Sequence, residues 1–266
     1  MSLLIGAALS LAIVLMALTF LIARRVENFS IVDIAWSFNF TPVAMTLSVL
    51  GTGVASRRLV MAGLVSVWSL RLATHLARRV AALHPVEEGR YLELRRQWAH
   101  DVNGRFFRFF LLQGFLNAFL SMPLMFVALN ERPFPGALEA LGFVVFSISL
   151  FGESVADAQL DSFRKKPSSS GKVCREGLWR YSRHPNYFFE WLVWCAYALM
   201  ASSAPWGWIS WVCPALMLYF LLKVTGIPAT EEQAIRSRGH AYRDYQATTS
   251  AFVPWFPKRI PERPSQ

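Results

Sequence analysis

Residues 2–23 read SLLIGAALSLAIVLMALTFLIA, an apolar run without a charge or a proline. A helix of that length is about 33 Å long, enough to cross the ~30 Å hydrocarbon core of a bilayer. Arg24 and Arg25 follow at once, and no basic segment precedes the run. Those flanks fit a retained span better than a cleaved secretory leader. The remainder of the 266-residue chain has the same character. Hydrophobic residues make up 54% of it and the mean hydropathy is +0.34, too apolar for an ordinary soluble domain. The expected fold is all-α: one integral membrane domain, a polytopic bundle of about seven transmembrane helices. The spans fall at about residues 2–23, 31–51, 58–77, 106–128, 136–156, 185–203 and 207–225, with a tail from about residue 228 to 266.

The net charge of +10 is explained by where the cations lie. Arg24 and Arg25 follow span one. Arg78, Arg79, Arg90, Arg95, Arg96 and Arg105 follow span three. Arg164, Lys165, Lys166, Lys172, Arg175 and Arg180 follow span five. The tail carries Arg236, Arg238, Arg243, Lys258, Arg259 and Arg263. The alternate loops hold only Arg57, Arg58 and Arg132. By the positive-inside rule the N-terminus lies outside and the large loops and tail in the cytoplasm, which requires an odd span count. A nucleic-acid partner is not needed to account for the charge. Residues 230–245 read as an amphipathic cytoplasmic helix, with Pro228 before it and Glu231 and Glu232 favouring its positive end. Ser168, Ser169, Ser170 and Gly171 form a turn.

Cys174, Cys195 and Cys213 show neither metal spacing nor a disulfide pattern, and two of them lie in apolar spans where a small hydrophobe fits. Glycine-rich nucleotide loops, His-Glu-x-x-His and Gly-x-Ser-x-Gly are absent. A soluble nucleotide-binding domain and a metal are therefore not expected.

Arg183-His184-Pro185-Asn186-Tyr187-Phe188-Phe189-Glu190 stands at the mouth of span six. Asn186 and Glu190 are four apart and share a helical face. One reading is a polar contact between helices. The other is a ligand site, in which Asn186 offers donor and acceptor and Glu190 accepts from amides or ribose hydroxyls. Glu153, Asp157 and Asp161 form a second stripe at the end of span five, and Arg164 follows near the same face. Three carboxylates on one stripe repel unless cations or ligand donors sit among them, and Arg164, Lys165, Lys166 or Arg183 can supply the cations. Such a mixture suits an anionic cofactor with hydroxyls and amides. Asp33 in Val32-Asp33-Ile34-Ala35-Trp36 reads either as an interfacial acid beside a belt tryptophan or as an acid facing a substrate cavity. Arg71 and His75 sit four apart on span three. An internal ion pair accounts for Arg71, with Asp33 or Glu153 as candidate partners. Tyr91 reads as an interface anchor or a proton donor.

The run Gly177-Leu178-Trp179-Arg180-Tyr181-Ser182-Arg183-His184-Pro185-Asn186-Tyr187, with Glu190 and Trp194 after it, resembles the signature of the steroid 5-alpha-reductase-like membrane proteins, above all their bacterial branch. Val32 to Trp36, Asp157-Ala158-Gln159-Leu160 and Phe252-Val253-Pro254-Trp255-Phe256-Pro257 also resemble that branch. The resemblance implies seven helices, an NADPH pocket open to the cytoplasm, and reduction of a carbon–carbon double bond conjugated to a ketone in a lipophilic substrate. It places the protein in a bacterial inner membrane. It makes Asn186 and Glu190 cofactor contacts, and Asp157, Asp161 and Arg164 or Lys165 counterparts of the family's preceding acids and base. Tyr181, Arg183, His184 and Tyr187 of the signature, and Arg236, Tyr242 and Tyr245 of the tail, complete the expected cofactor site. Asp33 corresponds to the glutamate that, with a tyrosine, holds the substrate ketone. That tyrosine has no match by sequence, so Tyr91 is named only as a possible donor, and span three offers Arg71 and His75 instead. The family's glycine before the glutamate is Phe189 here, which would crowd that part of the pocket. The isoprenylcysteine carboxyl methyltransferases are similar too. They share Arg-His-Pro-x-Tyr, a glutamate pair like Glu231 and Glu232, and a Tyr-x-x-Tyr like Tyr242 and Tyr245. They use S-adenosylmethionine. A third possibility is a non-enzymatic membrane lipid-binding protein.

Overall fold

The computed structural model describes residues 1–258; Arg259 and Arg263, counted above among the cations of the tail, lie outside the described residues. Helices follow one another in the order α1 Ser2–Arg25, α2 Ile31–Leu50, α3 Ala55–Leu83, α4 Gly89–Gln97, α5 Val102–Leu120, α6 Met122–Ala128, α7 Ala137–Lys165, α8 Pro185–Ala201, α9 Val212–Tyr219, α10 Ile227–Arg238 and α11 His240–Thr248. Among the described residues β pairing is limited to one isolated parallel bridge, Ser182 with Ser250. Five stretches are long and apolar enough to cross a membrane: Ser2–Arg25, Ala55–Leu83, Val102–Ala128, Ala137–Lys165 and Gly207–Arg238. α2 and α8, at the places expected for spans two and six, have 20 and 17 residues.

Three expected elements are subdivided. Span four is two helices that break at Ser121. Pro123 has no N–H to offer the carbonyl of Phe119 one turn back. The Cys213 thiol meets that carbonyl instead, at 3.7 Å, so this cysteine is a weak donor as well as a small hydrophobe. Span seven opens as a 3₁₀ turn, Gly207–Trp211, and closes as a π turn, Phe220–Val224. The amphipathic helix expected over 230–245 is a correction: it is two helices, α10 and α11, parted by Gly239 at φ 53°. A left-handed residue cannot continue a right-handed helix, and glycine adopts that geometry without a Cβ clash.

The described residues form two compact units, Met1–Ala140 with Leu199–Cys213, and residues 141–198 with 214–258. In the first, α1 buries Leu4, Ala8, Ala12, Met16 and Phe20, one residue every turn. The buried amides of α2 and α5 meet inside it. Asn39 donates to Asn117 Oδ1 at 2.9 Å and to the Ala12 carbonyl at 3.2 Å, and Asn117 donates to the Trp36 carbonyl at 3.1 Å. An ion pair closes one end: Arg57 Nε lies 2.5 Å from Glu139 Oε1, with both side chains 2% exposed. Arg57 also donates to the carbonyls of Asn130, Arg132 and Pro133, which a buried guanidinium requires. In the second unit, Leu221, Ile227 and Phe252 pack with Tyr187, Phe188 and Trp191. Ala234, Tyr242 and Tyr245 form a separate cluster.

Candidate functional site

In the second unit the signature is pinned to α7 before α8 begins. Leu178 N–H donates to Gln159 Oε1 at 2.9 Å, and Trp179 Nε1–H to the Ala156 carbonyl at 2.9 Å. Ser182 Oγ accepts from the His184 N–H at 3.1 Å, a local side-chain cap at the mouth of α8, whose second residue is Asn186. Pro185 needs no N–H in that first turn.

Asn186 Nδ2 donates to Asp157 Oδ1 at 3.3 Å, so the two acid–amide motifs singled out in the sequence face each other. Asp157 is buried and Asn186 half-buried. Glu190 and Asp161, each one turn further along its helix, are half-buried, whereas Glu153 is buried. Phe189 packs towards α7. Its ring lies against Gly152 of α7, where any Cβ would collide with it. A glycine on α7 thus makes the room that a phenylalanine on α8 occupies. Arg164, Lys165 and Arg180 are exposed at the ends of the same elements.

Glu231 is the hub of a second cluster. Its Oε1 accepts from Arg183 Nε at 2.6 Å, His184 Nε2 at 3.2 Å and the Tyr242 hydroxyl at 3.4 Å; its Oε2 accepts from Gln246 Nε2 at 2.7 Å. Arg183 Nη1 donates further to the carbonyls of Gln246 at 3.0 Å and Thr249 at 2.5 Å. Tyr245 donates to the carbonyls of Trp179 and Ser182. Tyr187 stacks on the His184 ring, centroids 5.3 Å apart, and its hydroxyl lies 3.3 Å from Thr230 Oγ1. Arg183, His184, Tyr187, Tyr242 and Tyr245 therefore join the signature to the tail. Tyr181 instead sets its ring edge-on to Phe256, and Arg236 pairs with Glu232 on an exposed face.

Burial lowers the pKa of His184 below the ordinary histidine value, partly offset by Glu231. The ring is neutral at pH 7, and a neutral ring facing a carboxylate carries its proton on Nε2. The folded state thus binds fewer protons than the unfolded chain once the pH drops below about 6.5, and stability falls as the pH moves from there towards the lower folded pKa. Melting curves in detergent between about pH 7 and pH 5 are expected to show this fall, and His184→Gln should flatten it while keeping a donor to Glu231. An unchanged slope in that variant would assign the proton uptake elsewhere.

In the first unit Tyr91 donates its hydroxyl to Asp33 Oδ1 at 2.6 Å. Tyr91 lies in α4 and is 0% exposed, so the interface-anchor reading fails. Burial, and then the neighbouring Asp33, hold its pKa well above the ordinary tyrosine value. Three ties set the position of Tyr91. Glu87 accepts from the Phe29 N–H, Glu88 N–H donates to Ser30 Oγ at 3.1 Å, and Arg95 clamps Glu87 at 3.0 Å and the Glu27 carbonyl at 3.1 Å. The α4 region is thereby strapped to the start of α2. Sequence reading did not find this strap, nor Glu231 as a hub. Glu87 and Glu88 gave a local signal, two acids just before Tyr91. Among the described residues no group of three or more His, Cys, Asp or Glu side chains could hold a metal.

The chain that builds this all-α membrane bundle matches one family model across residues 19–249, described as a protein of unknown function, DUF1295. The chain belongs to that family. It is 28% identical over 259 residues to an uncharacterised protein of Schizosaccharomyces pombe, covering 86% of this chain and 73% of the yeast protein. It is also 28% identical over 109 residues to the probable O-methyltransferase ustE of Ustilaginoidea virens, covering 41% of this chain and 37% of that one. No solved structure matches the chain.

Proposed function

We propose that this protein is a membrane-embedded, NADPH-dependent reductase of the carbon–carbon double bond of a lipophilic enone, with its basic loops and tail in the cytoplasm. The carrying observation is the 2.6 Å bond from Tyr91 to Asp33. It supplies the acid–tyrosine pair that the reductase resemblance calls for. Asp33 is half-buried, and Tyr91 is enclosed behind it. Asp33 in its acid form donates from Oδ2 to the ketone oxygen, while Tyr91 fixes the carboxyl through Oδ1. As the β carbon is reduced, charge builds on that oxygen, and the Asp33 proton meets it there.

The second unit has a donor set that fits the cofactor. Asn186, Asp157, Asp161 and Glu190 suit a carboxamide and ribose hydroxyls, and Arg164, Lys165 and the exposed Arg180 suit phosphates. Bound NADPH supplies the hydride. A second reading, an S-adenosylmethionine-dependent methyltransferase, is favoured by the similarity to ustE and by the tail glutamate Glu231 lying against Arg183 and His184.

Melting curves of the detergent-purified protein with NADPH, NADH and S-adenosylmethionine separate the two. A ligand at a hundred times its Kd stabilises by about 2.7 kcal/mol. NADPH is expected to raise the melting temperature, and Asn186→Ala and Glu190→Ala should each weaken that shift. If both variants respond to NADPH as the wild type does, the cofactor assignment is wrong. A shift with S-adenosylmethionine alone would move the protein to methyl transfer. A shift with none of the three would leave the lipid-binding reading.

A further inference from the structure

We propose that the segment of residues 253–256 is an interfacial anchor that inserts into anionic phospholipid headgroups at the mouth of α8. The assignment does not depend on which cofactor the protein uses.

Residues 250–255 run beside the residues that lead into α8. Arg183 N–H donates to the Ser250 carbonyl at 2.8 Å, Ser182 Oγ to the Phe252 carbonyl at 2.8 Å, and Trp255 N–H to the Tyr181 carbonyl at 2.9 Å. The Phe252 ring is buried against Phe188 and Trp191, with centroids 5.6 and 5.9 Å away. Trp191 is six residues into α8, about 9 Å along its axis. The segment is therefore held level with the first turns of α8, the apolar helix at the place expected for span six, whose mouth would then lie among the headgroups.

At that level the next side chains point away from the protein. Val253 is 52% exposed, Trp255 69% and Phe256 77%. Water gives such a cluster no stabilisation, whereas the headgroup layer takes up a tryptophan and a phenylalanine together. Pro254 and Pro257 restrict the backbone, so little conformational freedom is lost on insertion. Arg183, within the contact strip, is turned inward to Glu231, but the cations flanking the strip are exposed: Arg180, next to Tyr181, and Lys258, whose N–H is tied to the Thr248 carbonyl at 2.8 Å. An apolar tip with cations beside it is complementary to an anionic lipid surface.

The test uses the full chain as Phe256→Cys, carrying a bimane on that thiol, in nanodiscs. Cys174, Cys195 and Cys213 are buried, so wild-type protein treated in parallel should take up little dye. In phosphatidylglycerol discs, doxyl groups near the headgroup are expected to quench the dye by about twofold or more, and acrylamide should reach it poorly. In phosphatidylcholine discs the doxyl quenching should be weaker. Ready quenching by acrylamide without doxyl quenching would overturn the anchor. Equal doxyl quenching in the two lipids would overturn the anionic preference. Position 256 crosslinking to a second copy, with no doxyl quenching, would make the patch a protein interface instead. An unchanged melting temperature checks that the exposed substitution leaves the fold intact.

Discussion

Replacing Asp33 by alanine is expected to cut turnover by about a hundred- to a thousand-fold while leaving the NADPH-induced thermal shift at the wild-type level. Loss of one hydrogen-bond donor aimed at a developing oxyanion has that size, because the charge appears only in the transition state. Tyr91→Phe should cost less, about tenfold. It keeps the ring packed edge-on to Phe109 and beneath the Arg90 guanidinium, and it removes only the hydroxyl that orients Asp33. Asp33→Asn should retain part of the activity, because an amide N–H can still donate to a ketone. The measurement is NADPH oxidation by reconstituted protein with an enone lipid that the wild type reduces. If Asp33→Ala keeps more than about a tenth of the turnover, Asp33 is not the donor to the ketone. If instead the NADPH shift itself disappears, the variant has lost the fold or the cofactor site, and a melting curve without ligand distinguishes these.

The second large effect lies in the tail. Glu231→Ala is expected to lower stability by about 3–5 kcal/mol, because it leaves Arg183 in a mostly buried position without its carboxylate. The two side chains are 10% and 13% exposed and 2.6 Å apart. Glu231→Gln should recover part of the loss, since an amide oxygen can still accept from Arg183 and His184. Glu232→Ala, one residue on, should change stability by less than about 1 kcal/mol. Glu232 pairs with Arg236, but those side chains are 65% and 71% exposed. Denaturation of the three variants in one detergent checks the contrast. Equal, small effects for positions 231 and 232 would mean that the hub does not hold the tail to the signature.

The contrast between these neighbouring glutamates also shows where sequence reading stops. Both were expected at a helix N-terminus, but α10 starts at Ile227 and has no acid in its first turn, and nothing local said which of the two turns inward. That was settled by α10 packing Ile227 and Ala234 on its buried side. The Asn186 and Asp157 faces could be read from i, i+4 spacing, because helical periodicity is a local property. Their meeting at 3.3 Å depends on two helices 29 residues apart in the chain. The place of the Phe189 ring depends on Gly152 of another helix, where the missing Cβ makes room for it. Tyr91 was legible as a possible proton donor, but its partner was not. Its partner is 58 residues away, and the strap that aims it is made of long-range bonds from Glu87, Glu88 and Arg95 to residues 27–30.

Hydrophobic run length determined the membrane-spanning character, the helical class and most element positions from sequence alone, because a bilayer leaves a chain few ways to satisfy its backbone. The sequence also marked which polar residues are costly enough to need a purpose. The pairing of those residues was decided only by the tertiary structure, since each pairing is a contact between segments distant in the chain. No local propensity encodes which buried acid meets which donor.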